Sequence, residues 1–401
     1  MTRESAAGFA DQAASSLANI LVIFACARVM DVASFGEASV AFAIVTAIIM
    51  GCRGFLGTSL AVLSGDHDRV KSELDRASGA ALLLGFFIGL ILVLYGAWSD
   101  SSIWIVFGLG CPFLAAQDVI RYGAISLSRS TLALTSDLVR LVVSIVCFAS
   151  TFTSHHQFPP VAIVGSWPAG AVLSVLVVCF VLKVRPSPRS FIVLMADRLR
   201  ERLGYAFDTL MMSVTSILYI VILTSLLGNE GVAGLRGAGT LLGPLNTMVA
   251  GLSLVMVPRL ARSKASVSAM IREVIPLTTA MCVVAGLCGS LGFWLPESLG
   301  SALLGPTWVA AAIVLPIMAV EYALTAIRTS LSTILRARRA ASRLVVARIA
   351  STVGMLTVAA VGPLFGGPEA VAWGMVMNSA VGVTIVAVLL TSLSRGQRPL
   401  K

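Results

Sequence analysis

The stretch EASVAFAIVTAIIMGCRGFLGTSLAVL, Glu37 to Leu63, decides the fold: after its leading glutamate the 27-residue run carries a single charge, Arg53, three positions past the middle. A surface helix of a soluble domain shows one apolar stripe and one polar face. This run has no polar face, and about 20 such residues suffice to cross about 30 Å of hydrocarbon. A guanidinium at mid-depth costs roughly 2.5–3.5 kcal/mol, so Arg53 requires an anion or water beside it.

Outward from this run the pattern repeats. Of 401 residues, 57% are hydrophobic and 12% charged, and mean hydropathy is +0.94, against about 25% charged residues in an average soluble domain. Twelve apolar segments read as spans: 12–30, 37–63, 78–97, 103–125, 132–152, 160–182, 205–227, 233–257, 274–294, 308–334, 344–365 and 370–393. The chain is expected to be an all-α polytopic membrane protein.

Alternate loops differ sharply in basic residues. One set, together with both termini, holds 22 of the 29 Lys and Arg; the opposite loops hold none, and seven Arg lie within or at the ends of spans. Basic loops stay on the cytoplasmic side, so both termini are expected there, in a cell (inner or plasma) membrane. The net charge of +10 follows from topology and attraction to membrane lipid headgroups rather than from nucleic acid. The polar start, Met1 to Asp11, does not read as a cleavable signal. The seven Cys fall in apolar runs without CxxC spacing and read as small buried hydrophobes.

Organisation follows from the longest basic connection. The expected parts are a six-span bundle over 1–182, a linker over 183–204, and a second six-span bundle over 205–401. Pro186 and Pro188 end the sixth span, and Ser190–Leu203 is amphipathic, an expected interfacial helix. A displacement of about 198 residues lays the turn Asp31–Gly36 over Asn229–Gly234. Two halves of six spans that start on the same side suggest parallel repeats, an arrangement used for alternating access. Gly234, Gly237, Gly239 and Gly243 with Pro244 allow close packing and bending in the eighth span.

No catalytic constellation is legible. HExxH, Cys/His metal spacing and GxxxxGK[ST] are absent, the three His lie on loops, and the outer loops are short. The expectation is a non-enzyme without cofactor or resident metal. What remains is charge inside the spans. Arg28 and Arg236 lie near the outer ends of the first and eighth spans, Arg53 and Glu321 near mid-depth, and Arg328 further in. Asp118, Arg121, Asp137, Arg140, Asp208 and Arg348 lie toward the inner ends. Each has a structural reading as well: snorkelling for Arg121, Arg140 and Arg348, i,i+3 neutralisation for Asp118/Arg121 and Asp137/Arg140, pairing of Arg28 with Asp31 and Arg236 with Glu230, and a buried ion pair for Arg53. Glu321 and Arg328 share a face about 10 Å apart. Guanidinium groups facing one cavity would suit phosphate oxygens, hence a cargo with a diphosphate head and a lipid tail.

Asp11-Gln12…Asn19 entering the first span, Arg28…Asp31…Phe35-Gly36 at its exit, Asp118…Arg121-Tyr122…Arg129 closing the fourth, and Leu304-Gly305-Pro306-Thr307-Trp308 before the tenth resemble the Wzx-type polysaccharide flippases of the multidrug/oligosaccharidyl-lipid/polysaccharide exporter superfamily. The resemblance covers nearly the whole chain. It implies two bundles that move an undecaprenyl-diphosphate-linked oligosaccharide to the outer leaflet, for surface polysaccharide made with glycan polymerase partners. The related lipid II flippases keep Arg on spans one, two and eight in a central cavity, as Arg28, Arg53 and Arg236 stand here, though not position by position; this chain lacks their two extra helices. The expected cavity residues are Arg28, Arg53, Arg236, Glu321 and Arg328, with H+ or Na+ as coupling ion through Glu321. The rivals are a multidrug/cation antiporter of the same superfamily, which would want an acidic cavity, and a membrane glycan polymerase or ligase, which would want basic residues on a large outer loop.

Overall fold

In hydrocarbon no water satisfies backbone N–H and C=O groups, so each apolar run closes its hydrogen bonds within a helix. The computed structural model describes residues 3–64, 66–153, 159–187, 198–263, 265–304 and 308–396, and no strand occurs among them. Twelve helical segments are long and apolar enough to cross a membrane, which makes this a multi-pass membrane protein.

The chain divides into two units, Met1–Leu210 and Met211–Lys401. The first contains α1 (Arg3–Val29), α2 (Val32–Cys52), α3 (Thr58–Val62), α4 (His67–Trp98), α5 (Ser102–Ser126), α6 (Ser130–Thr153) and α7 (Pro160–Leu182). A single π-helical turn, Arg53–Gly57, joins α2 to α3 within one span. The boundary between units falls inside α8 (Leu199–Leu241). Of the expected linker, residues 188–197 lie outside the described part; from Leu199 the backbone is already in α8, continuous with the seventh span. The second unit continues with α9 (Gly243–Ser263), α10 (Val267–Trp294), α11 (Glu297–Leu304), α12 (Trp308–Ala337), α13 (Ala341–Val361) and α14 (Gly367–Gly396).

The eighth span differs most from expectation. Gly228 takes a left-handed φ of 69°, the helix resumes to Leu241, and a fresh helix begins at Gly243. Gly tolerates positive φ without steric cost, and Pro244 near a helix start removes a donor that would be unused. The run expected over 233–257 is therefore two helical pieces.

Each unit is built around its fourth span. In the first, α5 packs against α4, α7, α2 and α6; in the second, α12 packs against α10, α14 and α9. Both central helices contain an internal proline, Pro112 and Pro316, 204 positions apart. Each proline meets a glycine of the preceding span. A Cβ on Gly85 would lie 2.5 Å from Pro112 Cα, and one on Gly289 would lie 3.6 Å from Pro316 Cα and 2.5 Å from Ala319 Cβ. Gly85 and Gly289 are also 204 apart. The same device, glycine seated on a proline bend, thus recurs in both halves.

Candidate functional site

Two polar centres, one in each unit, gather Arg53, Asp118, Arg121, Asp137 and Arg140 in the first and Glu321 and Arg328 in the second.

In the first unit the centre forms where α1, α5 and α6 face one another. The buried stripe of α1 runs through Ala7, Asp11, Ala14, Ser15, Ala18 and Val22, the i, i+3, i+4 spacing of one helical face, so Asp11 enters the core. There Arg121 Nε donates to Asp11 Oδ2 at 2.7 Å, Nη2 donates to Gln12 Oε1 at 2.8 Å, and Nη1 reaches Asp118 Oδ1 at 3.4 Å. Asp137 Oδ2 stands 3.1 Å from the same Nε. Arg140 Nη1 donates to Asp137 Oδ1 at 3.2 Å and to Gln117 Oε1 at 3.3 Å; its Nη2 donates to Asn19 Oδ1 at 3.0 Å, an oxygen that also accepts from Trp167 Nε1. The i,i+3 pairs expected from sequence are present, but they are stitched across helices.

Arg53 forms the rim of this centre. Its Nε and Nη2 take both oxygens of Asp118, at 2.9 and 2.7 Å. Nη1 points at Met50 Sδ at 3.0 Å, and the group lies over the Tyr122 ring at 5.6 Å. The side chain of Arg121 is 1% exposed and that of Arg140 7%, whereas that of Arg53 is 20% exposed. Arg53 alone of the three guanidinium groups reaches the surface of the cluster. The π turn that starts at Arg53 inserts an extra residue into the helix and re-aims its side chains, a feature common at functional sites.

Three carboxylates, Asp11, Asp118 and Asp137, therefore face three guanidinium groups, and the cluster is neutral. Arg28 stands elsewhere. It is exposed near the end of α1, 17 residues from Asp11 and so about 25 Å along the helix axis. Arg28 and Arg53 cannot grip one diphosphate together in this arrangement of the unit. Asp31, expected beside Arg28, caps α2 by accepting from Ser34 N at 3.0 Å and Ser34 Oγ at 2.7 Å.

In the second unit Glu321 is buried on α12. Thr325 Oγ1 and Ser379 Oγ both donate to Oε1, at 2.7 and 2.8 Å. Arg328 lies within electrostatic reach of Glu321 and donates from Nη1 to Ser351 Oγ at 3.2 Å. Gly382 makes room for it, since a Cβ there would lie 2.9 Å from Arg328 Cδ. Tyr219 and Tyr322 lie in the field of Glu321. Arg236 is exposed on the segment of α8 beyond the Gly228 bend; the side chain of Glu230, its expected partner, is outside the described residues. An apolar groove of about 570 Å³, bordered by Gly292, Ala312, Pro316, Val320 and Trp373, runs between α10, α12 and α14.

The structure thus joins Arg53 to Asp118 and sets Glu321 near Arg328, and it places Arg28 apart from the ionic cluster of its unit. Sequence reading missed Asp11 as a core member, because a lone Asp near a helix start looks like an end group. The hydroxyls of Thr325 and Ser379 were missed because ordinary membrane helices are rich in such residues. Among the described residues no cluster of His, Cys, Asp and Glu has metal-site geometry.

No protein-family model and no curated protein matches this chain. Solved structures match over nearly its full length. An outward-facing multidrug resistance MATE family transporter of the MOP superfamily superposes with a TM-score of 0.77 at 14% identity, covering 98% of this chain and 95% of that one. A MATE protein in complex with MaD3S gives 0.75 at 16%, over 98% and 96%. A MOP superfamily transporter from Pyrococcus furiosus, described as having a binding pocket of reversed polarity that suggests a different function, gives 0.72 at 15%, over 98% and 95%.

Proposed function

With the fold of the MATE transporters of the MOP superfamily as premise, we propose that this chain is a transporter that flips an undecaprenyl-diphosphate-linked oligosaccharide between leaflets by alternating access. The observation that carries the reading is the charge balance of the second unit. Within the membrane-length helices of its described part seven arginines stand against three carboxylates, Glu273, Glu321 and Glu369, and Arg236 is exposed on α8 beyond the Gly228 bend. A surplus of guanidinium groups favours an anionic head and disfavours a cationic drug.

In the first unit Arg53 offers its surface side to the same cargo. A phosphate oxygen is a far better acceptor than the Met50 thioether that now faces Nη1. Arg28, about 25 Å along α1 from Asp11, and Arg53, at the rim of the cluster that holds Asp11, would act in succession along the path, and Arg236 and Arg328 would serve the second unit. The tail would stay in hydrocarbon, with the groove beside Pro316 available to a prenyl chain. Both termini would be cytoplasmic, and Glu321 would carry the coupling H+ or Na+.

The test is complementation. In a strain lacking the chain, surface polysaccharide is lost and the wild-type copy restores it. Arg53→Ala and Arg328→Ala, at normal protein level, should each restore less than a tenth. Intact surface polysaccharide in the deletion strain, with altered resistance to cationic drugs, would replace this reading with the antiporter. The buried carboxylates Asp11 and Glu321 are the observation that favours that second reading.

A further inference from the structure

Both ends of the connection that follows the sixth span are held by one stretch of α4, Lys71 to Asp75. At the leading end Lys183 takes a left-handed φ of 52° and stops α7. The chain then runs against α4: Lys71 Nζ donates to Lys183 O at 2.9 Å, Arg185 N to Asp75 Oδ1 at 2.9 Å, and Ser187 N to Asp75 O at 2.9 Å. Lys71 Nζ also donates to Asp75 Oδ1 at 3.0 Å, and Pro186 brings no N–H that would need a partner. At the trailing end Arg202 Nη2 donates to Glu73 Oε1, and both side chains are buried.

The hold continues into the first turns of α8. Arg202, Gly204, Tyr205, Asp208 and Thr209 are buried, and a Cβ on Gly54 would lie 2.4 Å from the Tyr205 carbonyl oxygen, so the two backbones meet with no side chain between them. Removing one partner of a buried ion pair is strongly destabilising. The connection is therefore a clamp on the first unit and not slack chain.

Beyond Thr209 the surroundings of α8 change. From Leu210 to Ile222 none of its residues is buried. Its partners are now those of the second unit: Thr215 Oγ1 meets Thr352 Oγ1 at 2.9 Å, and Tyr219 O–H donates to Met375 Sδ at 2.9 Å. Where one set of partners gives way to the other, Thr215 Oγ1 donates to Met211 O at 2.6 Å and Ser216 Oγ to Met212 O at 3.0 Å. Hydroxyls bonded back to the carbonyl four positions earlier compete with the helix's own ladder and often bend it, and stretches with few buried contacts are the first to yield.

We propose that the flexure between the two halves lies within the seventh span, at Met211–Ser216, and that the connection ahead of it moves as a fixed part of the first unit. The inference rests on the alternating-access reading, since only a chain whose halves move needs a joint.

Pulsed electron paramagnetic resonance tests it on the full chain in lipid nanodiscs, with the seven native Cys replaced by alanine. One spin-label pair, S72C/L203C, reads the clamp, and a second, L203C/V221C, reads the bend; all three positions are exposed. The first pair should give one narrow distance. The second should give a broad distribution reaching below the about 27 Å that 18 positions of straight helix span. Thr215→Ala with Ser216→Ala removes both back-bonds and raises helix propensity, and should lower the population of the short distances on the order of fivefold while leaving the first pair unchanged. Thr352→Ala, which removes the bond to Thr215 and keeps both back-bonds, should leave the broad distribution in place. A broad first pair, or a narrow second pair in the otherwise wild-type chain, would overturn the proposal. If the labelled chains do not fold, the unlabelled T215A/S216A variant decides: it should melt no lower than wild type yet restore less surface polysaccharide, and full restoration would overturn the proposal. A wild-type copy that restores nothing sinks the cargo reading instead, and the two distances still decide where the chain flexes.

Discussion

Arg53 and Asp118, 65 positions apart, meet through two hydrogen bonds, from Nε to Oδ2 at 2.9 Å and from Nη2 to Oδ1 at 2.7 Å. Both oxygens of the aspartate are engaged by one guanidinium fork, the geometry in which such pairs are strongest. Asp118 is more deeply buried than Arg53, so the two members are unequal. Asp118→Ala strands Arg53 and weakens the hold on Arg121, and truncating one partner of a buried pair costs about 3–5 kcal/mol. Arg53→Ala leaves Asp118 with Arg121 and should cost less. Thermal unfolding in detergent should show Asp118→Ala as the more damaging change, and the double variant should be less than additive by about 0.5–3 kcal/mol. Equal losses that add would mean that the pair is not coupled.

Close approach of helices gives a second expectation. A Cβ on Gly54 would lie 2.4 Å from Tyr205 O and 2.7 Å from Ala206 Cα, backbone atoms at the start of α8. Gly51, one turn earlier, has only Leu210 Cδ1 at 3.6 Å. Gly54→Ala must push α8 away and should cost about 1–3 kcal/mol, whereas Gly51→Ala should be neutral or slightly stabilising. The melting temperatures of the two variants, measured side by side, check this; indistinguishable values would mean that this close contact does not form.

Much of the frame was legible in the sequence, and the reasons are physical. Runs such as Glu37–Leu63 and Pro160–Leu182 are apolar on every face, and only a spanning helix tolerates that, so all twelve spans were found. The eighth was drawn as one helix over 233–257 because the break at Leu242 falls beside Gly243 and Pro244, and a glycine in a membrane helix is as often a packing surface as a bend. The eight-residue α11 is too short to register as a period. Asp118 was visible as a partner for Arg121 three positions away, but not for Arg53, because pairing across 65 residues is set by helix packing. The π turn has no compositional signature.

In the second unit both donors to Glu321 converge on Oε1. Removing either hydroxyl leaves the other in place, and removing both leaves a buried carboxyl oxygen without a donor. Thr325→Val and Ser379→Ala should each cost about 1 kcal/mol, and the pair about 2–4 kcal/mol, within the range for buried oxygens that lose their partners. Serine at 325 should restore most of the loss of Thr325→Val. Denaturation of the purified chain measures all four; a double variant as stable as wild type would show that Glu321 draws its support from elsewhere.

Arg121 is the residue on which the first unit's centre turns. Asp11, Gln12, Asp118 and Asp137, from three different helices, all meet its guanidinium, and its side chain is 1% exposed. Arg121→Ala removes the charge that holds these carboxylates together, leaving mutual repulsion with no water to relieve it. The cost should reach or exceed the roughly 3–5 kcal/mol typical of one broken buried pair, a large share of the about 5–15 kcal/mol by which native proteins are stable. Lysine does not substitute. Its single ammonium is a point donor, whereas Nε, Nη1 and Nη2 here reach four residues on three helices from one fixed plane. Arg121→Lys should therefore remain far below wild type in the yield of monodisperse protein, while Arg140→Lys should be milder because Arg140 bridges one aspartate and two amides. Chromatographic yield and melting temperature of the two lysine variants decide the matter: if Arg121→Lys matches wild type, the cluster is held by charge alone and the planar fork is dispensable.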